Sequence, residues 1–430
     1  MSAAPSNRFT GAPEPGGPGR GEPELPLEPR AAVTFRFDRI RGACSGILET
    51  GWQTFALLVA VRVYDASPNM KALLVSSGSI GLMLTPIVLF AVSRLNMPTG
   101  LVAGRFLFVG AVATAVGVVA HHDLLFILSM MVASIASAQQ APMMVNIYSE
   151  NYPPRRRGRL LSQSIVLAVI FSALFAFGGG YLLDWRLEMF PWIFASVAVA
   201  AAVAGWAMTR MPSSPVVVQL GRNPLQSLSW AWKDKVFGMM LGVWMLMGLG
   251  NLIVIPLRVE YMANPALGIN ASNADIALAV AIIPAIVRML TTHAWGWLFD
   301  NYNFFMIRTV LNGLFLIAIM IFFTTTRLWM LMLGGGVFGL AFAGGNIAWN
   351  LWVTKFAPPE RVPAYMSVHT FMTGFRGVIA PFIGFHLITH ASAGAAAWIS
   401  VGLIALSMLL LGPARRKAEA VSEARARDEG

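Results

Sequence analysis

The chain has 430 residues, of which 57% are hydrophobic and 12% charged, with a mean hydropathy of +0.66 and a formal net charge of +11. That charged share is about half the usual one, which excludes a string of soluble domains and assigns most of the chain to lipid. The single cysteine, Cys44, excludes an internal disulfide and any multi-cysteine metal cluster.

In chain order, residues 1–35 hold seven prolines among glycines and glutamates and lack apolar periodicity, which predicts a disordered cytoplasmic tail. It contains no signal-peptide core, so the first span is expected to direct insertion. Twelve apolar runs follow, each of roughly the 20 residues that a helix needs to cross a bilayer. Six lie within residues 36–210 and six within 236–412. Residues 211–235 join the two sets, and Asn223–Lys235 interleaves Leu225, Leu228, Trp230 and Trp232 with polar residues, the pattern of a short amphipathic helix on the membrane surface. Residues 413–430 are a basic tail.

The first run, near residues 42–64, carries Glu49 and, one turn on, Gln53. Glu49 lies about 12 Å beyond Arg41 at 1.5 Å per residue, and a charge at that depth costs about 2.5–3.5 kcal/mol, which marks it as functional. The fourth run ends in Gln139, Gln140, Pro142 and Asn146, amides able to bond a neighbouring helix or a ligand. The seventh holds Asn251, with Arg258 near its outer end. Arg288 in the eighth and Arg376 in the eleventh fall roughly 12 and 19 Å from the inner surface. A guanidinium keeps its charge at that depth, so each needs an acid, carbonyls or an anionic ligand. Asn346 and Asn350 close the tenth run. His293, His369, His386 and His390 lack metal-ligand spacing, so neither a metal nor a cofactor is expected.

Two stretches recur. Asn146–Ser162, NIYSENYPPRRRGRLLS, returns about 204 residues later as Asn350–Ser367, NLWVTKFAPPERVPAYMS, with Arg157 in register with Arg361. LVAVRVYDASPN at Leu58 is answered by IVIPLRVEYMANP at Ile253. A duplicated chain of this kind predicts an all-α integral membrane protein, its twelve transmembrane helices arranged in two pseudo-symmetric six-helix bundles. With the amino terminus inside, 23 of the 31 lysines and arginines fall on one face, so both termini are expected in the cytoplasm, with a plasma (inner) membrane location. The basic charge then orients the protein, and no nucleic-acid partner is expected. The four arginines of RRRGR are first of all an anchor, with a lock against carboxylates of the other half as their functional addition.

Twelve spans in two related halves, a basic loop after the fourth and a mid-chain linker resemble the major facilitator superfamily over about residues 36–412. The most local mark is Gly296-Trp297-Leu298-Phe299-Asp300, which is similar to the family's Gly-x-Leu-x-Asp inner-loop signature. The loop between the second and third spans has only Arg94 where that signature would recur, and the basic run usual after the aspartate is replaced by Asn301–Phe305. The resemblance implies a non-enzymatic secondary transporter working by alternating access.

On that footing Glu49, Arg288 and Arg376 are the expected substrate or coupling residues. Gln53, Gln139, Gln140, Asn146, Asn251, Asn346 and Asn350 would line the cavity, and Arg157, Gly296, Asp300 and Arg361 would form the inner gate. The excess of positive charge favours a small anionic or zwitterionic solute carried by a monomer, with protons as a candidate coupling ion. Export of amphipathic, drug-like or lipid-like molecules and a non-transporting scaffold or receptor are the alternatives.

Overall fold

The computed structural model describes residues 27–119, 122–153, 156–215, 226–353 and 362–428, and among these the only regular secondary structure is helix. Among the described residues, twelve helices are long and apolar enough to cross a membrane. The first six are α1 (Pro29–Arg62), α2 (Pro68–Ser93), α3 (Thr99–Val118), α4 (Asp123–Asn151), α5 (Arg157–Trp185) and α6 (Leu187–Thr209). The second six are α7 (Lys235–Ala263), α8 (Asn273–Asn301), α9 (Phe304–Phe323), α10 (Leu328–Trp349), α11 (Tyr365–His390) and α12 (Ala393–Lys417).

The ends differ from the sequence expectation in three places. α1 begins at Pro29, inside the stretch expected as tail, because proline suits a first helical position and Ala31 and Thr34 are already buried; residues 1–26 lie outside the described residues. Helix at the end of the chain continues through the expected basic tail to Asp428. Of the expected linker helix, residues 223–225 lie outside the described residues, and the rest is a 3₁₀ turn at Gln226–Ser229 and one α turn at Trp230–Lys233, ending where Asp234 caps α7 by accepting from Val236 N and Phe237 N, both at 3.0 Å.

Four helices are interrupted, each for a local reason. Pro142 has no N–H to give the carbonyl of Ala138 and breaks α4 at Gln139. Pro256 does the same to α7 after Val254. α1 and α8 each widen into a π turn, at Thr50–Phe55 and Leu278–Ile282. These two wide turns touch each other across the bundle interface.

The repeat is visible in side-chain anchors. In the first half Asp38 is fully buried and accepts from Arg41 Nε at 2.8 Å, Tyr148 OH at 2.8 Å and Ser164 Oγ at 2.6 Å. In the second half Asp234, about 196 residues on, accepts from Tyr365 OH at 2.8 Å. Each half is thus pinned near the start of its first helix by an aspartate receiving a tyrosine, at the end of the molecule that carries the termini.

The bundles meet mainly through α2 against α11 and α5 against α8. Ser76 Oγ donates to Val378 O at 3.0 Å in the first interface. In the second the helices approach so closely that a Cβ on Gly180 would stand 2.8 Å from Ala274 Cα, which only glycine tolerates. Polar bonds gather at the end away from the termini. Lys71 Nζ donates to Glu260 Oε1 at 2.7 Å, and both residues are buried. Asp184 caps α8, accepting from Asn273 N at 2.6 Å and Ala274 N at 3.0 Å. Arg62 donates to Asn273 Oδ1 and to the carbonyl of Ala271.

Candidate functional site: a cavity between the bundles

A cavity of about 700 Å³ lies between the halves, walled by α1, α2, α4 and α5 from one bundle and α7, α8, α10 and α11 from the other. Its described ionisable lining residues are Glu49, Arg258 and Arg288. Glu49 sits immediately before the π turn of α1, and Arg288 follows that of α8. The two wide turns meet, so the acid and the base face each other across the bundle boundary: Arg288 Nη2 stands 3.9 Å from Glu49 Oε1. Their side chains are 30% and 46% exposed, so water reaches both. The separation is that of a loose ion pair, one that a solute can enter without breaking a tight bond.

Arg258 is the residue that the sequence reading placed at the outer surface, and its position follows from Pro256. Val259 N turns to Pro256 O at 3.2 Å, which leaves the Ile255 carbonyl to Arg258 Nε at 3.1 Å. The guanidinium carbon then lies 4.6 Å from the centre of the Phe338 ring, a cation–π contact, and Nη1 is buried with no hydrogen-bond partner. The signal in the sequence was the repeat itself, in which Arg62-Val63 and Arg258-Val259 match although only the second pair follows a proline.

Of the residues expected at the site, Glu49, Arg288, Gln53, Gln140 and Asn346 line the cavity. Arg376, Gln139, Asn251 and Asn146 are instead held by their own bundles. Arg376 is buried against α7 and donates from Nη1 to the carbonyl of Trp244. Gln139 ties α4 to α2, donating from Nε2 to Gly81 O at 2.8 Å. Asn251 donates to Met247 Sδ within its own helix, at 2.8 Å. Asn146 reaches Thr99 Oγ1 of α3 at 3.4 Å.

The side chain of Asn350 lies outside the described residues, as does Arg361. Arg157 folds back on its own corner, donating from Nη2 to Ser149 O at 3.1 Å and Tyr152 O at 3.3 Å. Asp300 is exposed near the end of α8, and Gly296 borders open space. Glu49 is also not alone as an intramembrane acid: Asp38 and Glu260 are buried in spans, each with partners that offset the charge. Among the described residues no group of three or more His, Cys, Asp or Glu is placed to hold a metal.

Residues 245–429 match the family model described as Major Facilitator Superfamily. Among solved structures, the nucleoside transporter NupG superposes with a TM-score of 0.69 at 14% identity, covering 89% of this chain and 98% of that one. A D-xylose–proton symporter gives 0.67 at 15% identity over 89% and 97% of the two chains. A bacterial homolog of the human lysosomal transporter Spinster, inward-facing and unoccupied, gives 0.63 at 12% identity over 94% and 99%. No curated protein sequence matches. The sequence of the second half matches the Major Facilitator Superfamily model, and the fold over 89% of the chain is that of these twelve-span transporters, so the chain is a multi-pass integral membrane protein similar to that superfamily.

Proposed function

We propose that the protein is a secondary active transporter that carries a small anionic or zwitterionic solute through this cavity by alternating access, with both termini in the cytoplasm. The observation that carries the reading is the Glu49–Arg288 pair, one charge from each bundle, 3.9 Å apart and wet. Rocking of the bundles separates such a pair, and a solute carrying charge of either sign takes its place. Arg258 adds a second positive charge to the wall, so the lining favours an anionic group on the solute. The end away from the termini is bonded shut by Lys71–Glu260 and by Arg62, while Glu49 is open to water; the conformation is therefore the inward-open one. One relative of the same fold is a proton symporter, and Glu49 is the group in this cavity suited to take up a proton.

The test is transport by the purified protein in proteoliposomes, with Glu49→Gln beside the native chain. A library of carboxylates, amino acids and phosphorylated solutes is first screened by counterflow. The expected result is saturable counterflow of at least one anionic or zwitterionic solute by both proteins, and accumulation driven by a pH gradient only in the native chain. Gradient-driven uptake left intact in Glu49→Gln removes the coupling role. Counterflow confined to neutral solutes removes the reading of the substrate.

A further inference from the structure

The second bundle contains two arginines and a histidine that the central cavity does not use. Arg308 on α9 is 1% exposed, His369 on α11 is 0% exposed and Arg376 on α11 is 8% exposed. All three gather on one residue, Trp244 of α7. The guanidinium carbon of Arg308 lies 3.6 Å from the centre of the Trp244 ring, the His369 ring centre lies 5.4 Å from it, and Arg376 donates to its carbonyl. The Arg376 head fills the space beside Gly248, where a Cβ would stand 1.9 Å from its carbon, so the sequence has kept that position clear for it.

Their polar atoms are left over. Nε, Nη1 and Nη2 of Arg308, Nε of Arg376 and both ring nitrogens of His369 are buried without a hydrogen-bond partner. Among the described residues none of the three forms an ion pair with a carboxylate. A guanidinium does not shed its proton to escape this, and two of them buried together without an acid are strongly unfavourable. The stacking on Trp244 offsets only a small part of that cost. What is missing is a negative charge, which the unpartnered guanidinium nitrogens of Arg308 and Arg376 would serve as charge-assisted donors.

We infer that the Arg308–His369–Arg376 cluster is a binding site for one small monovalent inorganic anion of about the size of chloride, separate from the solute cavity and resident in the second bundle. The near-complete burial of all three side chains under Trp244 and Trp352 suits a bare ion and leaves little room for a phosphate or an organic acid. Among the described residues the first bundle has no counterpart of this cluster. Arg105, which matches Arg308 at an offset of about 203, is exposed, and Arg376 is matched by Phe171. The anion therefore stabilises one half of the transporter only, and holds α7, α9 and α11 together as a body.

The test uses the full chain purified in detergent, exchanged from sodium gluconate into sodium chloride or bromide at constant ionic strength, with thermal unfolding as the readout. A saturable rise of a few degrees is expected in the native chain, with the rise abolished in Arg308→Met. Bromide anomalous scattering from crystals of the native chain should place one peak between Arg308 and Arg376; this arm does not depend on the variant folding. No saturable halide effect, an undiminished effect in a folded Arg308→Met, or a bromide peak only elsewhere would each overturn the assignment.

Discussion

At the scale of single residues, a charge sealed in with its partners and a charge left wet should answer differently to substitution. Asp38 is wholly buried and receives Arg41, Tyr148 and Ser164. Asp38→Ala strands Arg41 in the bundle, and removing one partner of a buried pair costs about 3–5 kcal/mol. The expected result is a protein that yields poorly or melts well below the native chain in fluorescence-detected size exclusion, with Asp38→Asn milder because it still accepts from Tyr148. Arg288 is part-exposed and its carboxylate neighbour stands at 3.9 Å. Arg288→Gln should leave the melting temperature almost unchanged, within about 0.5 kcal/mol of stability, since exposed pairs contribute little. Its cost should fall on transport, with counterflow of the anionic solute reduced tenfold or more; a drop in stability together with normal counterflow would reverse the roles given to the two residues.

At the scale of helices, that Glu49, Arg288 and Arg376 fall inside spans was legible in the sequence and rotation about the helix axis was not. Counting residues from a basic or proline corner placed Glu49, Arg288 and Arg376 inside the membrane, and all three lie within spans. Counting could not tell that Arg288 turns to the neighbouring bundle whereas Arg376 turns to Trp244 of its own. The π turns of α1 and α8 decide the first and the bare backbone at Gly248 the second, and neither leaves a mark in a hydrophobic run. Lys71 and Glu260 were not singled out in the sequence at all: the two satisfy each other across the interface and so tolerate burial, which a count along one helix cannot show. The close contact of α5 with α8 gives a prediction of its own. A leucine at Gly180 has no space, with Ala274 Cα 2.8 Å from even its Cβ, so Gly180→Leu should part the helices at the end away from the termini. Spin-label distances between the far ends of α5 and α8 should lengthen by several ångströms; an unchanged distribution would mean that the helices are not clamped there.

At the scale of the molecule, the repeat predicted two bundles and the charge distribution predicted which end faces the cytoplasm, but which end was closed had to be found in the cross-bundle bonds. The seal turns on Lys71 and Glu260, buried together at 2.7 Å with Asn264 Nδ2 donating to the same carboxylate oxygen at 2.8 Å. Desolvating both charges is costly, so the pair adds little net stability while intact, yet breaking it leaves an uncompensated charge in the closed state. Opening that end hydrates whichever partner remains. Glu260→Gln should therefore shift the population toward the outward-open form, whereas Lys71→Met combined with Glu260→Met, which removes both charges, should shift it much less. A cysteine placed at Gln53 in a Cys44→Ser background reports the difference through an impermeant thiol reagent added from the far side. Labelling at least tenfold faster in Glu260→Gln than in the parent, with the double variant near the parent, is the expected order; equal rates in all three would show that the seal lies in the apolar contacts of α2 with α11 rather than in the ion pair.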